Sequence, residues 1–269
     1  MSSDKAIGVF DSGLGGLTAL MALERTLPDE NIVYFADTGR CPYGTKDTDT
    51  LRKMAMQDLE FLCEKGCKAI LTACGTVSAN AEDILKTYHI PVFNVLTPTV
   101  EKISEIYSGG NIAVSATEAC IRSGAFQSKL EMITKRNCCV LGIPCQNFVM
   151  LCERGHINKE DPILKASISG YLGEARDKDT SILLLGCTHF GIIEEAISGF
   201  MGRDTTIVAA SDCGADAIAS YIIENNIQGN GADRQFFTSG SASEFDRMAS
   251  VIMKGRYDGK AKEIPVMHV

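Results

Sequence analysis

The run Ala69-Ile70-Leu71-Thr72-Ala73-Cys74-Gly75-Thr76 decides the fold, and Ile182-Leu183-Leu184-Leu185-Gly186-Cys187-Thr188-His189 repeats its plan in the second half of the chain. Each is an apolar, strand-like stretch that ends in a cysteine followed by small polar residues. In an α/β chain the tip of such a strand is where ligands bind. Taken singly, either cysteine reads as a small hydrophobe in the core. Taken together, in matching contexts, they read as two thiols facing each other across one site. Such a pair can add a proton to one face of a carbon while removing one from the other.

Working outward, strand-like runs fall at 6–10, 31–36, 69–73, 91–95, 112–115, 138–141, 181–185, 206–210 and 235–238. Helical patterns separate most of them, as in Asp47 to Cys63, where Leu51, Met54, Ala55, Leu59 and Leu62 recur at helical spacing, and in Ser241 to Lys254. This alternation predicts parallel sheets covered by helices, an α/β fold. Ile7-Gly8-Val9-Phe10-Asp11-Ser12 has a counterpart in Ile112-Ala113-Val114-Ser115-Ala116-Thr117, as Cys74 has in Cys187, which predicts a diverged duplication. The expected division is a first unit of 1–97 plus 209–269 and a second of 98–208, with a ligand in the cleft between them.

The 269 residues are 45% hydrophobic and 22% charged, the balance of a chain with a substantial core. A net charge of −8 argues against nucleic acid as a partner. No apolar run reaches the roughly 18 residues of a membrane span, so no membrane is expected. Eleven cysteines without a small-scaffold pattern predict reduced thiols and a cytoplasmic location. Cys63-x-x-x-Cys67, placed in a helix, has no second ligand pair at zinc-site spacing, so no metal is expected. The six residues before the first strand argue against an N-terminal regulatory extension.

Asp11-Ser12-Gly13-Leu14-Gly15-Gly16-Leu17-Thr18 links a strand to a helix, and its glycines allow close backbone approach while the free amides favour an anion. It fits neither the P-loop nor the dinucleotide pattern; the competing reading is a tight turn with Asp11 or Ser12 as helix cap. Pro42-Tyr43-Gly44 reads as a turn or as a backbone cradle for a carboxylate. Beside Cys187, His189 is placed to lower the thiol's pKa or to pass its proton. Glu153 by itself reads as a helix-end glutamate.

Together these segments, with Ala116-Thr117 and Phe148-Val149 through Glu153, resemble the glutamate racemase family within the wider aspartate/glutamate racemase superfamily, in the family's order along nearly the whole chain. The resemblance implies two pseudo-symmetric three-layer α/β domains, with a cofactor-independent active site in the cleft between them. It implies that Cys74 handles the D-substrate and Cys187 the L-substrate, with Asp11, Glu153 and His189 as assisting acid/base groups. Ser12, Pro42, Tyr43, Gly44, Thr76, Thr117 and Thr188 match positions that hold the amino and carboxylate groups of a small amino acid. A homodimer and a role in supplying D-glutamate for peptidoglycan are implied likewise.

The chain departs from the family where Gly75 replaces an asparagine, Cys120 a threonine, Phe190 a tyrosine and Gln146 a proline. Gly75 and Cys120, as substrate-side positions, leave open a racemase for another amino acid, admitted into a hole beside Cys74. A binding or regulatory paralogue is the third alternative, against which the retained acid/base set counts.

Overall fold

The computed structural model describes residues 4–135 and 138–265; the first three residues of the leader lie outside them. Among the described residues ten strands form two sheets, and every pairing is parallel. The strands are β1 (Ile7–Asp11), β2 (Ile32–Ala36), β3 (Ala69–Thr72), β4 (Val92–Asn94), β5 (Asn111–Ala116), β6 (Val140–Pro144), β7 (Thr180–Leu185), β8 (Thr206–Ala209), β9 (Arg234–Thr238) and β10 (Lys262–Glu263). The larger sheet runs β10-β9-β2-β1-β3-β4 and the smaller β6-β5-β7-β8. The block β2-β1-β3-β4 is therefore repeated as β6-β5-β7-β8, with β1 equivalent to β5 and β3 to β7. This is the pseudo-symmetry expected of a duplicated α/β unit.

All nine expected strands are present, with β6 shifted toward the C-terminus of its expected run, and β10 is an addition too short to show a pattern. The helix Thr48–Glu64 begins where Asp47 accepts a hydrogen bond from the Thr50 amide, so its start follows the capping rule. Cys67 lies beyond that helix, buried against the sheet, and Cys63 and Cys67 do not share a helical face.

Side-chain alternation assigns each sheet face. Ile7, Val9, Ala69 and Leu71 of the larger sheet join Ile112, Val114, Ile182 and Leu184 of the smaller in one apolar cluster, which also holds the helices Leu17–Thr26 and Ala210–Glu224. The opposite face of the larger sheet, with Phe10 and Ile70, packs on the helix Thr48–Glu64. That of the smaller, with Leu183 and Leu185, packs on the helices Pro162–Asp177 and Glu194–Met201. Each sheet is thus covered on both faces, and one core is continuous across the two. We propose the division into 1–97 with 209–269 and 98–208 as the two units. No described helix is long and apolar enough to cross a membrane.

Chain order reverses direction between β1 and β3 in the larger sheet and between β5 and β7 in the smaller, since β2 and β6 lie on the other side of the central strand. Such a switch point opens a crevice at the carboxyl ends of the strands. Asp11 ends β1 and Cys74 follows β3; Thr117 follows β5 and Cys187 follows β7.

Candidate active site

The two cysteines are built alike. Cys74 is the N-cap residue of the helix Gly75–Asn80, and Cys187 that of the helix Thr188–Ile192. Both thiols are buried, at 4% and 7% exposure. Burial first, and Asp11 second, push Cys74 up to about 12, against the pull of the Val77 and Thr76 amides and of Ser12, whose Oγ lies 3.8 Å from the sulfur. Burial and then Asp11 likewise raise Cys187 well above the usual thiol range, and the His189 amide pulls the other way. Burial thus favours the neutral thiol at both sulfurs.

Asp11 is fully buried at the end of β1. Its Oδ1 accepts from the Gly13 amide at 3.0 Å, and its Oδ2 accepts from the Thr188 hydroxyl of the other half at 2.9 Å. Burial raises its pKa, with His189 and these hydrogen bonds opposing. The helix Leu17–Thr26 has Gly16 as N-cap and no side-chain cap, so neither Asp11 nor Ser12 plays that part. Asp11 stabilises the preceding turn instead. Gly16 is needed there: a Cβ on it would stand 2.5 Å from Asp11 Cβ and 2.7 Å from the Tyr34 hydroxyl.

Glu153, at the end of the helix Gln146–Glu153, bridges the halves in turn. Its Oε1 accepts from the Leu14 amide at 3.0 Å and lies 2.6 Å from His189 Nε2. His189 Nδ1 lies 3.8 Å from Cys187 Sγ, giving a relay from carboxylate to imidazole to thiol. Burial alone would depress the imidazole, but the Glu153 hydrogen bond and charge outweigh it and raise His189 above its ordinary 6.5. Burial would raise Glu153, and the His189 hydrogen bond and charge with the Leu14 amide hold it below 4.5. Each group thus favours the charged form of the other.

Thr76 and Thr117 face one another across the halves, their hydroxyl oxygens 2.8 Å apart, and Thr117 Oγ1 also accepts from the Cys120 amide. Cys120 itself is turned into the shared core, where burial holds it as a thiol. Pro42 follows a cis peptide bond, and Tyr43 and Gly44 begin the short turn after it. Tyr43 is buried and its hydroxyl is held between the carboxylates of Asp37 and Asp58. Arg40 joins the same two carboxylates.

The hole expected beside Cys74 is absent. A Cβ on Gly75 would stand 2.0 Å from the Gly186 carbonyl oxygen, so backbone of the other half fills the space that an asparagine would occupy. Gly15 and Gly44 lie at the same seam. A Cβ at 15 would be 2.5 Å from His189 Nδ1, and one at 44 would be 2.2 Å from Gln146 Oε1.

Sequence reasoning missed Asp37, Arg40 and Asp58, although Asp58 carried a signal: it interrupts the apolar face of Leu51, Met54, Ala55, Leu59 and Leu62. It also missed Cys41, whose sulfur lies with carboxylate and imidazole atoms of Glu153 and His189 within 4.8 Å of one another. Among the described residues this is the set whose ligand types would suit a soft cation; Glu153 and His189 already satisfy each other.

Residues 17–218 match the Asp/Glu/hydantoin racemase family. A glutamate racemase of Oceanobacillus iheyensis is 34% identical over 257 residues, covering 93% of this chain and 92% of the relative. The fold superposes on a glutamate racemase isoform of Bacillus anthracis with a TM-score of 0.90 at 27% identity, over 98% of both chains. It superposes on the Francisella tularensis glutamate racemase in complex with D-glutamate with a TM-score of 0.86 at 32% identity, over 97% of this chain and 98% of that one.

Proposed function

This chain belongs to the Asp/Glu/hydantoin racemase family, and on that premise we propose that it interconverts L- and D-glutamate with Cys74 and Cys187 as opposed acid and base. The observation that carries the reading is the matched placement of the two cysteines, each capping a short helix beyond equivalent strands of facing sheets, with Asp11–Thr188 and Leu14–Glu153 joining the halves around them and Glu153–His189 beside Cys187.

In the L-to-D direction, a Cys187 thiolate removes the α-proton from one face and the Cys74 thiol delivers its own proton to the other. The turnover ends with a Cys187 thiol and a Cys74 thiolate, so charge and protons balance. Buried thiols are poor bases until their charged form is favoured. The substrate's ammonium, set against Asp11, offsets the carboxylate charge that raises both sulfurs. His189, held charged by Glu153, favours a thiolate at Cys187. The carbanion-like transition state places negative charge on the α-carboxylate, and fixed donors aimed there stabilise it before any reorganisation. Ser12, Thr76, Thr117, Thr188 and the backbone around Pro42, Tyr43 and Gly44 are assigned the holding of the substrate's amino and carboxylate groups between them, and Gly75 that of letting the Gly186 carbonyl approach.

Glutamate is favoured over another amino acid because the gap that would have admitted one is filled by Gly186. The product would supply D-glutamate for peptidoglycan. Eleven free thiols suit a reducing cytoplasm, and a homodimer is the assembly expected from the family; light scattering tests it.

The activity is tested by following α-proton loss by NMR for a panel of L- and D-amino acids in deuterated water. Exchange of glutamate is expected, and exchange of other amino acids in its place would contradict the substrate assignment. Cys74→Ser and Cys187→Ser are each expected to lower racemisation by at least about a thousandfold, as loss of one member of a concerted pair does. Near-normal racemisation by either variant would exclude the opposed-thiol mechanism.

A further inference from the structure

Gln146 opens the helix whose far end carries Glu153 and is 8% exposed. Its Oε1 accepts a hydrogen bond from the Glu118 amide at 3.3 Å. That bond fixes the amide's orientation, because two N–H groups cannot pair. The other end, Nε2, is buried and has no hydrogen-bond partner among the described residues. Buried amide donors are nearly always paired, so an orphan of this kind marks a place where something else binds.

Its position is defined by two contacts. Oε1 lies where a Cβ on Gly44 would be, at 2.2 Å, next to Thr117, whose Cβ is 2.5 Å from the same point. Thr117 in turn meets Thr76, two residues from Cys74. Gln146 therefore stands at the seam between the two halves, opposite the turn read from sequence as a carboxylate cradle and beside Thr117. The proline common at this position in the family has no donor to offer.

We propose that Gln146 Nε2 donates to the carboxylate at the side-chain end of the substrate, so that this residue selects an acidic amino acid over one with a hydrocarbon side chain. The inference rests on the racemase reading above. A neutral amide suits the task, since it supplies a donor without adding a charge that would have to be desolvated. The α-carbon lies at the other end of the substrate, so Gln146 affects binding more than chemistry.

The test compares deuterium exchange at D-glutamate and at D-norvaline, which has the same backbone and no side-chain carboxylate, in the unaltered protein and two variants. Gln146→Met removes the donor with little change of volume. It is expected to raise KM for D-glutamate about tenfold and leave kcat within about twofold, with D-norvaline unaffected. Gln146→Glu keeps the acceptor for the Glu118 amide and replaces the donor by an acid, guarding against misfolding of the first variant; the same loss of preference, or a larger one, is expected. A glutamate-to-norvaline ratio unchanged in both variants, or a fall in kcat with KM unmoved, would overturn the assignment of Gln146 alone. Absence of exchange at any amino acid by the unaltered protein would overturn the racemase reading and this inference with it.

Discussion

Gly75 shows how one residue can be read correctly as a departure and wrongly as a space. Sequence comparison with the family suggests a lost side chain; the structure puts the Gly186 carbonyl 2.0 Å from where its Cβ would be. Backbone cannot swing aside as a flexible side chain does. Gly75→Asn is therefore expected to force the halves apart, lowering stability by about 2 kcal/mol and glutamate turnover at least tenfold, on the scale of an overpacked core. Thermal denaturation and exchange rates check this, and a more active, equally stable variant would contradict it. Glu153 was legible only through the family resemblance, whereas His189 was marked by its place beside Cys187; 36 residues separate the two and no spacing rule joins them. Their pairing has a pH signature. The lowered Glu153 pKa contributes stability that is present above about 4.5 and lost as pH falls through its folded value. The raised His189 pKa contributes stability that is complete below 6.5 and lost as pH rises through its folded value. Glu153→Gln is thus expected to cost most between those limits, about 2 kcal/mol for a charge-assisted hydrogen bond, and less at either extreme. Denaturant melts across pH 4 to 9 measure the difference, and a cost independent of pH would contradict the ion pair.

At the scale of the element, period and punctuation carried most of the fold. Buried parallel strands are continuous apolar runs, and such runs marked β1, β3 and β7. The edge strand β10 has two residues and no pattern to find, and the start of β6 was misplaced because its half-buried, proline-ended sequence lacks that signature. The cap at Asp47 is a local rule that survived folding. Asp47→Ala is expected to destabilise the protein by about 1 kcal/mol through the helix Thr48–Glu64, read as a small drop in melting temperature with activity retained. An unchanged melting temperature would mean the helix is held by its packed face alone. By contrast, the turn before Leu17 looked equally like a cap and is not one. Its aspartate is drawn away by Gly13 and by Thr188, a partner 177 positions distant that no local pattern encodes.

For the whole molecule, the repeated order β2-β1-β3-β4 and β6-β5-β7-β8 turns a sequence duplication into two equivalent switch points. Equivalent switch points put equivalent cysteines at the ends of facing sheets, which is why the two cysteine contexts could be matched before the fold was known. What the sequence could not supply was the closeness of the seam. Gly15, Gly44 and Gly75 of one half abut His189, Gln146 and Gly186 of the other, and only folding brings them together. The same holds for Gln146, whose unpaired amide is visible only once its surroundings are. The central claim, one acid and one base on opposite faces of the α-carbon, is tested most directly by labelling L-glutamate turnover in deuterated water and analysing both enantiomers early in the reaction. The account predicts D-glutamate carrying α-deuterium while the remaining L-glutamate keeps its α-proton; equal deuterium in both enantiomers from the outset would show a single base and contradict it.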